Sequence, residues 1–314
     1  MNTLRLRRYL EELDQHHELT AQAEALTRAA WGDEVQLCTI LSIKTAPCSE
    51  DCTFCAQSSH YSAGRALKSV IMTDSDIEKK AQITEEHGIR NLSMVSSGRG
   101  LNERSDFTLH EAFARQAKEH GRQLCASLGF LDEYAARKLV SLGVEYYHHN
   151  LETSREHYPN VCASHTWDER VATLKRARAA GMKLCVGGIF GMGESADDVI
   201  SMANTVAELG VESIPLNFLI PIAGTPQGDR AMMDPERALR CVAVFRFLNP
   251  QAVIRICGGR KEVLGEREGD IFRYGANAIM SGGLLTTQGS PHDADFRLIE
   301  KAGLRPVHYG EVCR

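Results

Sequence analysis

Val35-Gln36-Leu37-Cys38-Thr39-Ile40-Leu41-Ser42-Ile43 is a short apolar, β-branched run, and Cys48-Ser49-Glu50-Asp51-Cys52-Thr53-Phe54-Cys55 follows it closely. The first stretch predicts a buried strand. The second predicts a loop that folds around something, because it carries three thiols in C-x-x-x-C-x-aromatic-C spacing. A structural zinc site closes with four ligands, whereas an iron–sulfur cube can be held by three thiolates with one iron left open for chemistry. A chance cluster or an incomplete zinc site is the plainer alternative.

The strand-then-helix pattern repeats along the chain. Further strands are predicted at 91–95, 123–128, 144–151, 183–189, 213–220, 252–256 and 278–284. Amphipathic stretches lie between them at 74–87, 109–120, 132–142, 167–180, 196–209 and 235–248. Capping residues open several of these: Asp74 or Ser75 in the first, Asp132 in the third, and Asp234 before Pro235 in the last. Gly88, Gly121, Gly143, Gly181 and Gly210 close them in the manner of left-handed C-terminal positions. About eight such units predict an α/β fold, a (β/α)8 TIM-type barrel, with a doubly wound open sheet as the alternative. Residues 1–34, with Leu6, Leu10, Leu13, Leu19, Ala23 and Leu26 at helical spacing, predict an N-terminal helical extension. The barrel domain is then 35–314, with no linker or low-complexity segment to divide it.

The composition narrows the partners. The chain has 314 residues, is 43% hydrophobic and carries a net charge of −5, enough for one large core and with no basic stripe for nucleic acid. No apolar run approaches the ~20 residues of a membrane span, and the N-terminus lacks the apolar core of a secretory signal. A cytoplasmic protein is therefore expected, with its ten cysteines as ligands or buried thiols rather than disulfides. Cys38, Cys162, Cys241 and Cys313 have no motif around them and are taken as small buried or idle thiols.

In a barrel, function gathers where strands run out into βα loops. The ends of the predicted strands carry Cys48 to Cys55, Ser93 to Arg99, Cys125, Asn150 with Glu152, Cys185 through Glu194, Asn217, Arg255 to Arg260 and Thr286-Thr287. That is more thiol, amide and charge than a packed core would hold.

The cysteine triplet resembles the cluster motif of the radical S-adenosylmethionine enzymes. The resemblance implies that Cys48, Cys52 and Cys55 bind a 4Fe–4S cluster. Its open iron chelates S-adenosylmethionine, and electron transfer releases a 5′-deoxyadenosyl radical; the protein supplies position and exclusion of water. Gly187-Gly188-Ile189-Phe190-Gly191-Met192-Gly193-Glu194 fits the superfamily's G-x-I-x-G-x-x-E pattern, which implies an adenine site at Gly187, Ile189, Gly191 and Glu194. Several further segments together resemble the biotin synthase family over about residues 35–305. They are Leu41 to Thr45, Gln57 to Ser59, Tyr146 to Ser154, the region of Asn217, Arg255 to Arg260, and Leu284 to Thr287. That family inserts sulfur into dethiobiotin at two unactivated carbons, taking the sulfur from a second cluster deeper in the barrel.

The resemblance implies ribose binding by Glu152, where the family usually has Asp, and binding of the S-adenosylmethionine carboxylate by Arg170. Asn150 and Asn217 offer donors and an acceptor to a cyclic urea, and Thr286 and Thr287 would receive the acid tail of dethiobiotin. Each, taken singly, also fits a buried amide or hydroxyl satisfying loop backbone, or an arginine in a surface pair. An electron donor such as flavodoxin or ferredoxin, iron–sulfur assembly proteins and a homodimer are implied with them. Within the same barrel a hydrogenase-cofactor maturase is the competing enzyme, and a non-catalytic metal-binding scaffold is the competing class.

The family's second cluster takes one cysteine from each of the second, third and fifth strands plus an arginine. Cys125, Cys185 and Arg255 match, but the second-strand position is Ser93, a poor ligand for such iron. Cys257 lies two residues beyond Arg255, on the same strand face. Cys125, Cys185 and Cys257, with Arg255 beside the cluster or ligating it, are thus the expected auxiliary site. Three thiolates favour a four-iron form with an extra sulfide; a two-iron cluster is the alternative.

Overall fold

Period-two alternation puts Leu37, Leu41, Leu92, Met94, Leu124 and Ala126 on one face of their strands. Gln36, Cys38, Asn91, Ser93, Gln123 and Cys125 fall on the other. In the computed structural model, which describes residues 2–45, 47–89, 91–282 and 291–307, the first face meets the helices and the second lines the inside of a barrel. Its staves are β1 (Glu34–Thr45), β2 (Asn91–Ser96), β3 (Gln123–Ser127), β4 (Val144–His148), β5 in two pieces (Lys183–Cys185 and Gly188–Phe190), β6 (Ser213–Phe218), β7 (Val253–Ile256) and β8 (Ala278–Met280). All pair in parallel with their neighbours, and β8 pairs with β1, so the sheet is closed rather than open.

Helices α1 (Thr3–Glu11) and α2 (His17–Trp31) precede β1. They are followed by α3 (Asp74–Glu86), α4 (Thr108–Glu119), α5 (Glu133–Ser141), α6 (Trp167–Ala179), α7 (Ala196–Glu208) and α8 (Pro235–Leu248) between staves. After β7 come the short α9 (Arg260–Leu264) and a 3-10 stretch, Gly265–Phe272; α10 (His292–Lys301) comes near the end of the described chain. Asp132 and Asp234 cap α5 and α8, accepting from the backbone N–H of Ala135 and Arg237. The cap of α3 is neither Asp74 nor Ser75 but Thr73. Its hydroxyl accepts from Asp76 N–H while the Asp76 carboxylate accepts from Thr73 N–H, and this reciprocal pair sets the start of the helix. The five predicted closing glycines all take positive φ.

The fifth predicted strand is broken at Val186-Gly187. A Cβ on Gly187 would lie 1.7 Å from the Pro215 carbonyl oxygen, and one on Gly188 would lie 2.3 Å from that of Glu152. The glycines therefore let β6 and the loop after β4 close onto this strand.

Arg240 of α8 is fully buried and fastens the N-terminal helices. It donates to the carbonyls of Tyr9, Glu12 and Leu13 at the end of α1, lies 4.6 Å over the Tyr9 ring, and pairs with Glu236. One buried cation thus satisfies carbonyls that the helix end leaves open. No helix among the described residues is long and apolar enough to cross a membrane.

Candidate active site

The C-terminal ends of the staves surround a cavity of about 380 Å³. Cys48, Cys52 and Cys55 line it together with Asn150, Glu152, Arg170, Ile189 and Asn217, so residues from five separate parts of the chain converge there.

The cysteine loop is held from within and from outside. Within it, Cys48 N–H donates to Gln57 O (2.6 Å), Cys55 N–H donates to Cys52 O, and Ser58 Oγ donates to Glu50 O (2.7 Å). From outside, the segment 161–165 after β4 grips the two acids between the cysteines. Asp51 accepts from the N–H groups of Ala163 (3.0 Å) and Ser164 (2.9 Å) and from the Cys162 thiol (3.1 Å). Glu50, itself buried, meets His165 Nδ1 (2.6 Å), Ser164 Oγ (3.0 Å) and Arg99 (2.9 Å). Burial pushes both carboxyls up, but these donors outweigh it and hold them below the usual carboxylate range.

Cys162, read from sequence as idle, stands 3.9 Å from the Cys52 sulfur, and the ligand atoms of Cys52, Cys162 and His165 lie within 4.8 Å of one another. Its neighbour and burial push the Cys52 thiol up. No local spacing marks Glu50, His165 or Cys162, since their partners lie more than a hundred residues away in sequence.

Glu152 takes a left-handed conformation (φ 68°), which costs a non-glycine residue about 1–3 kcal/mol and is characteristic of functional sites. The strain is held by Ile189 N–H donating to its carbonyl (2.9 Å) and by Arg170 Nη1 3.6 Å from its carboxylate. Burial raises the Glu152 pKa and Arg170 opposes that shift. Arg170 is no surface pair: it is buried and donates from Nε to Tyr158 Oη (2.6 Å) and from Nη1 to Asn150 O (2.8 Å).

The two asparagines both face the cavity and both grip the broken strand. Asn150 Oδ1 accepts from Gly187 N–H (3.1 Å), while Asn217 Nδ2 donates to Gly188 O (3.1 Å) and its Oδ1 accepts from Gly258 N–H (3.0 Å). Of the glycine-rich stretch, Ile189 reaches the cavity wall. Glu194 instead accepts from Gly191 N–H (2.8 Å) and Met192 N–H (2.9 Å), shaping the turn after the strand. Phe54 packs with Val161, Ile189, Met192 and Leu219 as an apolar wall. Thr286 and Thr287 lie outside the described residues.

Cys125, Cys185 and Arg255 are placed deeper, inside the barrel rather than at its mouth, around a cavity of about 20 Å³ that Cys38 also lines. Arg255 Nη1 donates to Ser213 Oγ (2.9 Å), leaving its buried Nε without a partner; Ser93 Oγ is likewise buried and unpartnered. Burial would lower the Arg255 pKa, but Cys38, Cys185, Cys257 and Cys125 as thiolates more than offset it, so all four thiols are within its field. Cys38, which the sequence left idle, belongs to this group.

Both sites suit iron–sulfur groups on their own chemistry. Three thiols share the mouth with unpartnered buried polar atoms, Gln57 Oε1 and His149 Nε2. Below them, buried thiols and an unpaired guanidinium nitrogen fill an interior that branched apolar side chains usually occupy.

Residues 42–206 match the Radical SAM superfamily and residues 215–305 match the Biotin and Thiamin Synthesis associated domain. Biotin synthase of Anaeromyxobacter dehalogenans is 42% identical over 297 residues, covering 94% of this chain and 82% of the relative. The chain belongs to the biotin synthase family. Biotin synthase of Acetivibrio thermocellus is 41% identical over 90% of the chain and 88% of its own length. Family membership makes it a radical S-adenosylmethionine enzyme and implies a 4Fe–4S cluster with S-adenosylmethionine. Among solved structures, methylornithine synthase (PylB) superposes with a TM-score of 0.82 at 18% identity, covering 98% of this chain and 94% of that one. The hydrogenase maturase HydG of Carboxydothermus hydrogenoformans gives 0.80 at 16% identity, covering 99% and 80%. At those identities the likeness is one of fold.

Proposed function

We propose that this chain inserts sulfur into dethiobiotin to form biotin. The observation that carries the reading is the meeting, in one cavity, of the Cys48, Cys52 and Cys55 loop with Glu152, Arg170, Asn150 and Asn217, directly above a buried layer of thiols and Arg255. When bound, the groups supply a 5′-deoxyadenosyl radical that removes hydrogen from unactivated carbon, and sulfur from an auxiliary cluster to replace it.

The chain's own residues bind and orient. Cys48, Cys52 and Cys55 offer three thiolates on a loop fixed by Glu50 and Asp51. Arg170 offers guanidinium N–H groups to a carboxylate, and Glu152 offers acceptors to ribose hydroxyls. Ile189 offers the edge against which an adenine would lie, on a strand end shaped by Gly187, Gly191 and Glu194. Asn150 and Asn217 keep amide capacity beyond their backbone bonds and suit the N–H and C=O groups of a cyclic urea, with Thr286 and Thr287 for the acid tail. Phe54 and its apolar neighbours keep water from the reacting carbons.

Cys125, Cys185 and Cys257, with Arg255, are the residues we assign to the auxiliary cluster. Three thiolates favour a four-iron form with an added sulfide over a two-iron form. The same reading takes 1–34 as a helical extension of the barrel domain 35–314, places the protein in the cytoplasm and calls for a flavodoxin- or ferredoxin-like reductant, iron–sulfur assembly proteins and a homodimer.

Anaerobic incubation with reductant, S-adenosylmethionine and dethiobiotin tests it. Biotin and 5′-deoxyadenosine are expected together. Formation of 5′-deoxyadenosine without consumption of dethiobiotin would point to a different radical enzyme, and no 5′-deoxyadenosine to a scaffold.

A further inference from the structure

The strand register fixes which interior residues share a level of the barrel. Cys38 pairs across β2 with Asn91, and Asn91 with Gln123; two residues further along β3 is Cys125. Cys125 leads through Tyr146 to Lys183, two residues before Cys185. Cys185 leads through Ser213 to Val253, two before Arg255. Arg255 leads through Ala278 to Gln36, two before Cys38. Four steps of two residues return to the starting residue, which is the closure expected of a barrel with a shear of about 8, where alternate strands supply one layer. Cys38, Cys125, Cys185 and Arg255 are therefore the β1, β3, β5 and β7 members of a single layer.

The same count puts Ser93 in the adjoining even-strand layer with His148, Pro215 and Met280. Cys257, two residues beyond Arg255, lies about 5 Å nearer the mouth along the axis. Across β8, between Arg255 and β1, the register position is the small Ala278.

We propose that Cys38 is a ligand of the auxiliary iron–sulfur cluster, supplying from β1 the thiolate that Ser93 does not supply from β2. The inference rests on the reading that such a cluster sits inside this barrel. Three free thiols in one closed layer, with a guanidinium as the fourth member, leave that layer no apolar side chain at all. A merely structural cysteine looks different: Cys241 is buried on α8 among Ala238, Val242 and Phe245. Cys257, free and buried nearer the mouth, adds a further thiol next to this layer.

The test uses the Cys48→Ala/Cys52→Ala/Cys55→Ala protein, reconstituted anaerobically with iron and sulfide, so that only the interior cluster is read. Adding Cys38→Ser should cut bound iron and sulfide by more than half and change the Mössbauer doublets, while adding Cys241→Ala should change neither. Adding Cys38→Ser together with Ser93→Cys should restore the iron, and this double change carries the test if Cys38→Ser alone fails to fold. Iron, sulfide and doublets unchanged by Cys38→Ser, or no iron in the swapped protein, would overturn the role of Cys38 and leave the auxiliary cluster standing. No iron in the parent triple variant would overturn the auxiliary cluster itself, and this inference with it.

Discussion

The mouth and the interior of this barrel both gather thiols, but they hold them by opposite means. At the mouth, Cys48, Cys52 and Cys55 ride on one loop, partly exposed, and the surrounding backbone and the Glu50 and Asp51 carboxylates fix their positions. Inside, Cys38, Cys125 and Cys185 sit on three different strands, buried, with their positions set by register alone. A loop site depends on its clamps. An interior site depends on barrel closure, and a ligand can pass from one strand to the next without disturbing the frame.

The largest expected effect separates the two regions outright. Replacing Cys48, Cys52 and Cys55 by Ala should abolish 5′-deoxyadenosine formation to the detection limit while iron analysis still finds the interior cluster. Gly187→Ala should be nearly as severe for a different reason. Its methyl would meet the Pro215 carbonyl where mouth and interior join, a clash expected to cost more than about 4 kcal/mol and to show as loss of soluble folded protein.

Arg170→Gln should weaken S-adenosylmethionine binding by about 10- to 100-fold in equilibrium dialysis, the worth of one or two charge-assisted hydrogen bonds. It should also destabilise the chain, because buried Glu152 loses its cation. Glu50→Gln tests the clamp. Losing charge-assisted bonds to His165 and Arg99 should cost about 1–3 kcal/mol in urea unfolding and speed loss of the mouth iron, leaving the interior iron unchanged.

The smallest effect lies outside both regions. His110 is buried with neither ring nitrogen partnered, and burial lowers its pKa. A depressed histidine pKa means that the unfolded chain takes up the proton first. Stability is therefore full above the unfolded value of about 6.5 and falls as pH drops below it. The melting temperature should decline from pH 7 towards pH 5, and His110→Phe should flatten part of that slope.

How much of this was legible in the sequence follows the same division. The barrel was readable because strand and helix periods alternate, with Asp132 and Asp234 as caps and glycines as stops; α3 began one residue differently because the Thr73–Asp76 box outcompetes a lone Asp. The mouth cysteines were readable because loop ligands keep a local spacing. The clamp by Cys162 and His165 was not, since it joins segments over a hundred residues apart. Cys38 carries no signal in the sequence for a related reason. Its layer exists only once eight strands close at a definite register, and no single strand carries that information. Glu194 had the right spacing for a ligand-facing residue, yet its carboxylate is spent on Gly191 and Met192 N–H groups.

In the proposed function the mouth makes the radical and the layer beneath it supplies the sulfur, in one chain acting on dethiobiotin. That function is tested most directly by a single anaerobic turnover with reductant, S-adenosylmethionine and dethiobiotin, quantifying biotin against 5′-deoxyadenosine. Biotin is expected, with one 5′-deoxyadenosine formed for each carbon that gains a bond to sulfur. Formation of 5′-deoxyadenosine with dethiobiotin recovered intact would contradict it.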